Sequence, residues 1–176
     1  MTRPSSASSA PPPVFSMPSL YVLLLSFALC FGVSGLGSAV TVGPVRTWYP
    51  TLAKPALTPP DIAFPIVWTI LFALMAVSVW LVWRQAIRSP AGWRSAIPAF
   101  ILFAVQLALN FGWSLLFFGL QKIGPALIEM LVLLAVLAAT IVAFARHSRL
   151  AALLLVPYWA WGAFATYLTF MIWRLN

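Results

Sequence analysis

Groups able to carry acid–base or nucleophilic chemistry are few in this sequence: two carboxylates, Asp61 and Glu129, one histidine, His147, and one cysteine, Cys30. No HExxH, CxxC, glycine-rich phosphate loop or GxSxG occurs, so no catalytic residue and no metal ligand is assigned. Asp61 reads as part of a helix start, with Thr58 as N-cap, proline in the first turn and the acid at the third helical position. His147 stands in the turn Arg146-His147-Ser148-Arg149 and reads as a solvated loop residue, with haem ligand or proton switch as the alternative. Cys30 lies in an apolar run and has no partner for an internal disulfide. Glu129 falls four residues past Pro125, roughly 6 Å into an expected membrane helix. An acid there either pairs with Lys122 or interfacial water, or serves a ligand or a proton; both readings stay open.

Amides and aromatic rings are better placed than the acids. Gln106, Asn110, Trp113 and Phe117 follow i, i+4, i+7 and i+11, one side of an α-helix. Buried amides need partners, so this side should face a helix bundle or a cavity; hydrogen bonds that only glue helices together would give the same pattern. Tyr158, Trp161, Ala165 and Leu168 form a second face, in which large rings border a small alanine as in a slot for a flat ligand, or as in ordinary packing. A proline-rich segment at 44–59 contains Arg46, Trp48, Tyr49 and Lys54 and is too long for a tight turn. It is expected to act as a lid, with Trp48 and Tyr49 folding over a pocket mouth.

The elements that must position these groups follow from composition. Of the 176 residues, 63% are hydrophobic and only 7% charged, far below the quarter or so that an ordinary soluble surface carries. Five apolar runs, about 19–43, 60–86, 96–119, 125–146 and 150–173, each have the roughly 20 residues needed to cross a bilayer as a helix. The fold class is therefore an all-α integral membrane protein, a bundle of five transmembrane helices in contact with lipid. Residues 1–18, rich in Ser, Ala and Pro, read as a flexible tail. Gly37 and Ala39 would satisfy a signal-peptide cleavage pattern, but the run is long and its amino-terminal flank has one arginine, so retention as a helix is expected. The net charge of +8 comes from basic residues scattered between apolar runs, which is a pattern of membrane-flanking loops and not of nucleic-acid binding. Arg3, Arg84, Arg88, Arg94, Arg146 and Arg149 outnumber Arg46, Lys54, Lys122 and Arg174, which favours a cytoplasmic amino terminus. Ala104, Ala108 and Gly112 make a small-xxx-small ridge on the third helix, suited to a homodimer contact or to packing within one chain.

Three stretches together resemble a known family. Trp48-Tyr49-x-x-Leu52-x-Lys54-Pro55-x-x-x-Pro59-Pro60, followed by Phe64-Pro65 and Trp68, looks like the first-loop and second-helix signature of the TspO/MBR family. Gln106-Leu107-Ala108-Leu109-Asn110-x-x-Trp113 with Phe117-Phe118-Gly119 is similar to its third helix. Pro157-Tyr158-x-x-Trp161-x-x-Phe164-Ala165-Thr166-x-Leu168, with Trp173-Arg174, is similar to its fifth. The resemblance implies a five-helix bundle, commonly a homodimer, with a pocket closed by the first loop. It implies porphyrin or haem as ligand, with no obligatory cofactor, and in some members cholesterol or benzodiazepine-site ligands. By motif position the pocket would be lined by Trp48, Asn110, Trp113, Trp161, Ala165 and Leu168. Arg46, Lys54, Gln106, Phe117 and Tyr158 are further candidates, the two cations as anchors for propionates. Many members carry Trp where Leu57 stands, a Trp tied to light-dependent porphyrin breakdown, and the sterol motif is broken at Thr169 and Phe170. The expectation is thus a tetrapyrrole-binding sensor or transporter in a bacterial cell membrane. A porphyrin-degrading enzyme and a ligand-independent scaffold are the alternatives.

Overall fold

Residues 17–176 are described in a computed structural model, and among them every regular element is a helix, with no strand. Most of the expected tail, Arg3 included, lies outside the described residues; Met17 and Pro18 already belong to the first helix. The helices are α1 (Met17–Thr47), α2 (Ala63–Ala86), α3 (Pro90–Ser114), α4 (Ile123–Ala145) and α5 (Arg149–Leu175). All five are long and apolar enough to cross a membrane, and the shortest, with 23 residues, extends roughly 34 Å. Leucines, isoleucines and valines such as Leu24, Leu29, Ile66, Ile101, Ile128 and Leu153 stand exposed on the outer surface, a pattern that only hydrocarbon solvates without penalty.

Helix ends differ from the spans expected, each for a local reason. The second helix does not begin at Thr58. The Thr58 hydroxyl donates to the Pro55 carbonyl at 2.7 Å, and Ile62 occupies the cap position without any side-chain bond. Prolines at 59 and 60 disfavour helical backbone at the residues before them, so the helix starts only once they are passed. Asp61 consequently precedes α2, inside the turn closed by Ala63 N–H on the Pro60 carbonyl at 2.9 Å. The third helix starts six residues earlier than its apolar run, because Ser89 caps it by accepting from Gly92 N–H at 3.0 Å, with Pro90 in the first turn. The first helix runs through Pro44 to Thr47, which shortens the connecting loop from its amino-terminal side.

Packing closes a ring in the order α1, α2, α5, α4, α3, with α2 and α3 also in contact across it. Phe72, Met75, Phe103, Leu107, Leu137 and Tyr158 are buried at its centre. Buried polar bonds fix the register. The Ser78 hydroxyl donates to the Ala151 carbonyl at 2.7 Å, tying α2 to α5, and Trp80 Nε1 donates to the Ser19 carbonyl at 3.0 Å, tying α2 to α1. After Ser114 the chain widens into a π-helical turn, Leu115–Gly119, closed by Leu120 N–H on the Leu115 carbonyl at 2.8 Å. The wide turn lets the adjacent Phe117 and Phe118 both face inward, where they receive Tyr49 of the loop.

Candidate functional site

A cavity of about 430 Å³ lies between α1, α2, α3 and α5 at the end of the bundle where the α1–α2 loop sits. That volume falls within the roughly 300–1,000 Å³ of small-ligand sites. Each helix offers one turn-spaced edge. From α1 come Val33, Gly37, Thr41 and Val45, and from α2 come Phe64, Trp68 and Phe72. Asn110, Trp113 and Phe117 enter from α3 and its π turn; Ala165, Leu168, Thr169 and Ile172 enter from α5. The loop contributes Tyr49 and Asp61. Wall residues on α3 and α5, such as Asn110, Phe117, Ala165 and Leu168, are buried, whereas Ser38, Val42, Pro65 and Thr69 on α1 and α2 are exposed. The open side of the cavity therefore lies between α1 and α2.

The walls are mostly aromatic and aliphatic, with a few polar groups set among them. Trp113 and Phe117 stack with ring centroids 5.3 Å apart, and the Trp113 indole nitrogen is buried without a partner. Asn110 Nδ2 donates to the Tyr158 hydroxyl at 2.8 Å, which fixes the amide at the cavity wall. Tyr158 is wholly buried behind that wall, edge-on to Trp68 at 5.9 Å. Thr41 and Thr169 spend their hydroxyl protons on the carbonyls of Gly37 and Ala165, at 2.7 and 2.9 Å, so within the cavity they present lone pairs. Among the described lining residues the one ionisable acid is Asp61, and no lysine or arginine lines the cavity. Burial, and then the Asp61 carboxylate, push the Tyr49 phenol above its ordinary pKa.

Of the side chains expected at a pocket, Asn110, Trp113, Phe117, Ala165 and Leu168 line this one. Gln106 and Tyr158 lie behind it. Gln106 is fully buried, its amide nitrogen 3.9 Å from the Met75 sulfur and its oxygen unpartnered. Trp48 packs on Phe117 at 5.6 Å without reaching the cavity itself. Trp161 lines a separate apolar groove on the outside of α2 and α5 and meets the cavity only through Phe64, 6.0 Å away. Arg46 is exposed in the last turn of α1, and Lys54 places its ammonium 4.2 Å from the centre of the Tyr49 ring. Neither lines the cavity. Ala104 and Ala108 are exposed on the outward side of α3, while Gly112 turns toward α4, with Glu129 Oε1 3.5 Å from where a Cβ would stand. Both Glu129 oxygens are buried and unpartnered, so the pairing with Lys122 is not made. The α1 and α2 edges of the cavity escaped sequence reasoning, although Phe64, Trp68 and Phe72 at i, i+4 and i+8 carried a signal that could have revealed them.

Five helices long and apolar enough to cross a membrane, packed around a largely apolar cavity, define a polytopic membrane protein. The sequence matches the TspO/MBR family over residues 26–174, and the chain belongs to that family. It is 42% identical over 159 residues to the tryptophan-rich protein TspO of Chlorobaculum tepidum, covering 89% of this chain and 97% of the relative. Similarity extends to the human translocator protein, at 39% identity over 142 residues with 80% and 82% coverage. The tryptophan-rich sensory protein of Cereibacter sphaeroides is 34% identical over 159 residues, with 89% and 92% coverage.

Proposed function

We propose that this protein binds a tetrapyrrole, porphyrin or haem, within the bundle and acts as a sensor or transporter for it. The observation that carries the reading is the cavity of about 430 Å³ whose wall joins Trp113, Phe117 and Trp68 to the Asn110 amide. Flat aromatic ligands gain most from such walls, through stacking area and a small number of orienting hydrogen bonds. The unpartnered Trp113 indole N–H is a donor ready for an acceptor on the ligand. With Arg46 and Lys54 off the cavity, the propionates of a bound porphyrin point out of the open side toward the interface. The chain sits in the cell membrane with its amino terminus cytoplasmic, which places the α1–α2 loop on the opposite side. Two copies associate through the exposed Ala104 and Ala108 of α3.

Titration of the purified protein with protoporphyrin IX, followed by Trp fluorescence, tests the proposal. Saturable quenching is expected, with Trp113→Phe both reducing its amplitude and weakening affinity by about ten-fold, the loss of one buried hydrogen bond and its stacking partner. Binding by Trp113→Phe indistinguishable from wild type would refute the site.

A further inference from the structure

The loop between α1 and α2 is fastened to the bundle at two separate places. Tyr49 is one, seated on Phe117 and Phe118 with ring centroids 6.4 and 5.8 Å away. The other is Asn176, at the far end of α5. Its Oδ1 accepts from Ala53 N–H at 3.0 Å, and its Nδ2 donates to the Ala53 carbonyl at 3.1 Å. A side-chain amide thus satisfies both polar groups of one loop residue, 123 positions away in sequence. The same Nδ2 donates to the Ile172 carbonyl at 2.8 Å, which holds the amide rigid against the last turn of α5. Ile172 itself lines the cavity, as does Tyr49, so the clasp joins the loop to the wall it covers.

We infer that Asn176 is a positioning residue that holds the α1–α2 loop against the end of the cavity, where the loop bounds the opening between α1 and α2, and thereby sets how fast ligand enters and leaves. The inference rests on the cavity being the ligand site, yet Asn176 does not line that cavity. Three features argue for a gate and not a permanent lock. The bonds to Ala53 are solvent-exposed, and neutral hydrogen bonds in water are worth little net, so thermal opening is cheap. The remainder of the loop, from Lys54 to Ile62, has turns but no regular backbone ladder to hold it. And the amide's three hydrogen bonds all go to backbone groups, so its loss removes no hydrogen bond from a cavity side chain.

The test has a ligand-free arm and a kinetic arm. In the first, amide hydrogen exchange across residues 48–62 is compared between wild type and Asn176→Ala in the same detergent. Exchange at Ala53 should accelerate about ten-fold, the worth of two exposed hydrogen bonds, with thermal unfolding unchanged. Asn176→Asp keeps the acceptor and loses both donations, so it should fall between the two. Exchange at Ala53 as slow in Asn176→Ala as in wild type would overturn the clasp, whatever the ligand proves to be. In the second arm, stopped-flow mixing with protoporphyrin IX should give association and dissociation rates that both rise in Asn176→Ala, leaving the ratio within about two-fold. A faster dissociation alone, with affinity falling in proportion, would mean a contact role and would overturn the gating role. Failure of wild type itself to take up protoporphyrin IX would refute the ligand reading and the gate together, while the exchange result would still report on the clasp.

Discussion

Tyr49 shows how one side chain ties the loop's chemistry to the cavity. Its ring is buried against Phe117 and Phe118, the Lys54 ammonium sits on it, and burial together with the Asp61 carboxylate raises its phenol pKa. A raised folded-state pKa means that the folded protein holds the phenol proton more tightly than the unfolded chain does. The corresponding stability is complete below the unfolded value of about 10 and is lost as pH climbs through the folded one. The loop should therefore be indifferent to pH across the neutral range and loosen only in alkali, above about pH 10. Fluorescence of Trp48, which packs on the same Phe117, is a suitable reporter after background correction with Trp48→Phe. Tyr49→Phe should abolish the alkaline step, and Asp61→Asn should bring the tyrosinate absorbance change to lower pH. An alkaline step that survives in Tyr49→Phe would assign it to another group.

Helices and their ends carry the next set of consequences. Ser89 and Ser148 each accept a bond from the backbone N–H three residues on, at 3.0 and 3.2 Å, whereas Thr58 bonds to Pro55 and caps nothing. Alanine at Ser89 or Ser148 should cost about 1 kcal/mol in unfolding measurements in detergent, and Thr58→Ala less than about half of that. The same contrast explains what was legible in sequence. Five spans were readable because each needed only length and apolarity. Their ends were governed by serine caps and by the Pro59-Pro60 pair: a threonine before one proline can cap a helix, as Ser89 does before Pro90, but Pro60 disfavours helical backbone at Pro59, so no first turn follows Thr58. The polar face of α3 and the aromatic face of α5 were likewise readable from helical period. Period gives the direction of a side chain but not its depth along the axis. The cavity begins only at Asn110 on α3 and Ala165 on α5, so Gln106, Tyr158 and Trp161, a turn or two deeper, share the expected faces yet lie behind or beside the site. The π turn had no sequence signature at all, and without it Phe117 and Phe118 would not both turn inward.

For the whole molecule, the decisive feature is where polar groups go when nearly all the outer surface is hydrocarbon-facing. Asn110, Tyr158, Trp113 and the hydroxyls of Thr41 and Thr169 gather inside the ring, and the outward faces keep leucine, isoleucine and valine. The cavity's open side, marked by Ser38, Val42, Pro65 and Thr69, lies on α1 and α2, whereas the exposed Ala104 and Ala108 lie on α3. The proposed dimer contact through α3 would leave the mouth clear, so assembly and ligand binding should be separable. Ala108→Phe should abolish cross-linked dimer in membranes and leave porphyrin affinity within about two-fold of wild type. Persistence of the dimer would place the interface elsewhere. Membership of the TspO/MBR family, a five-span bundle and an internal cavity are mutually consistent, and the ligand is the point on which function turns.

Ala165 offers the most direct test of that point, because it is the smallest residue that α5 contributes to the cavity wall and is itself buried at 7% exposure. A phenylalanine there would project into the cavity. Equilibrium titration of Ala165→Phe with protoporphyrin IX, on protein whose helicity and thermal unfolding match wild type, should show affinity reduced by about ten-fold or more. Undiminished affinity in that variant would mean that the ligand binds somewhere other than between these helices.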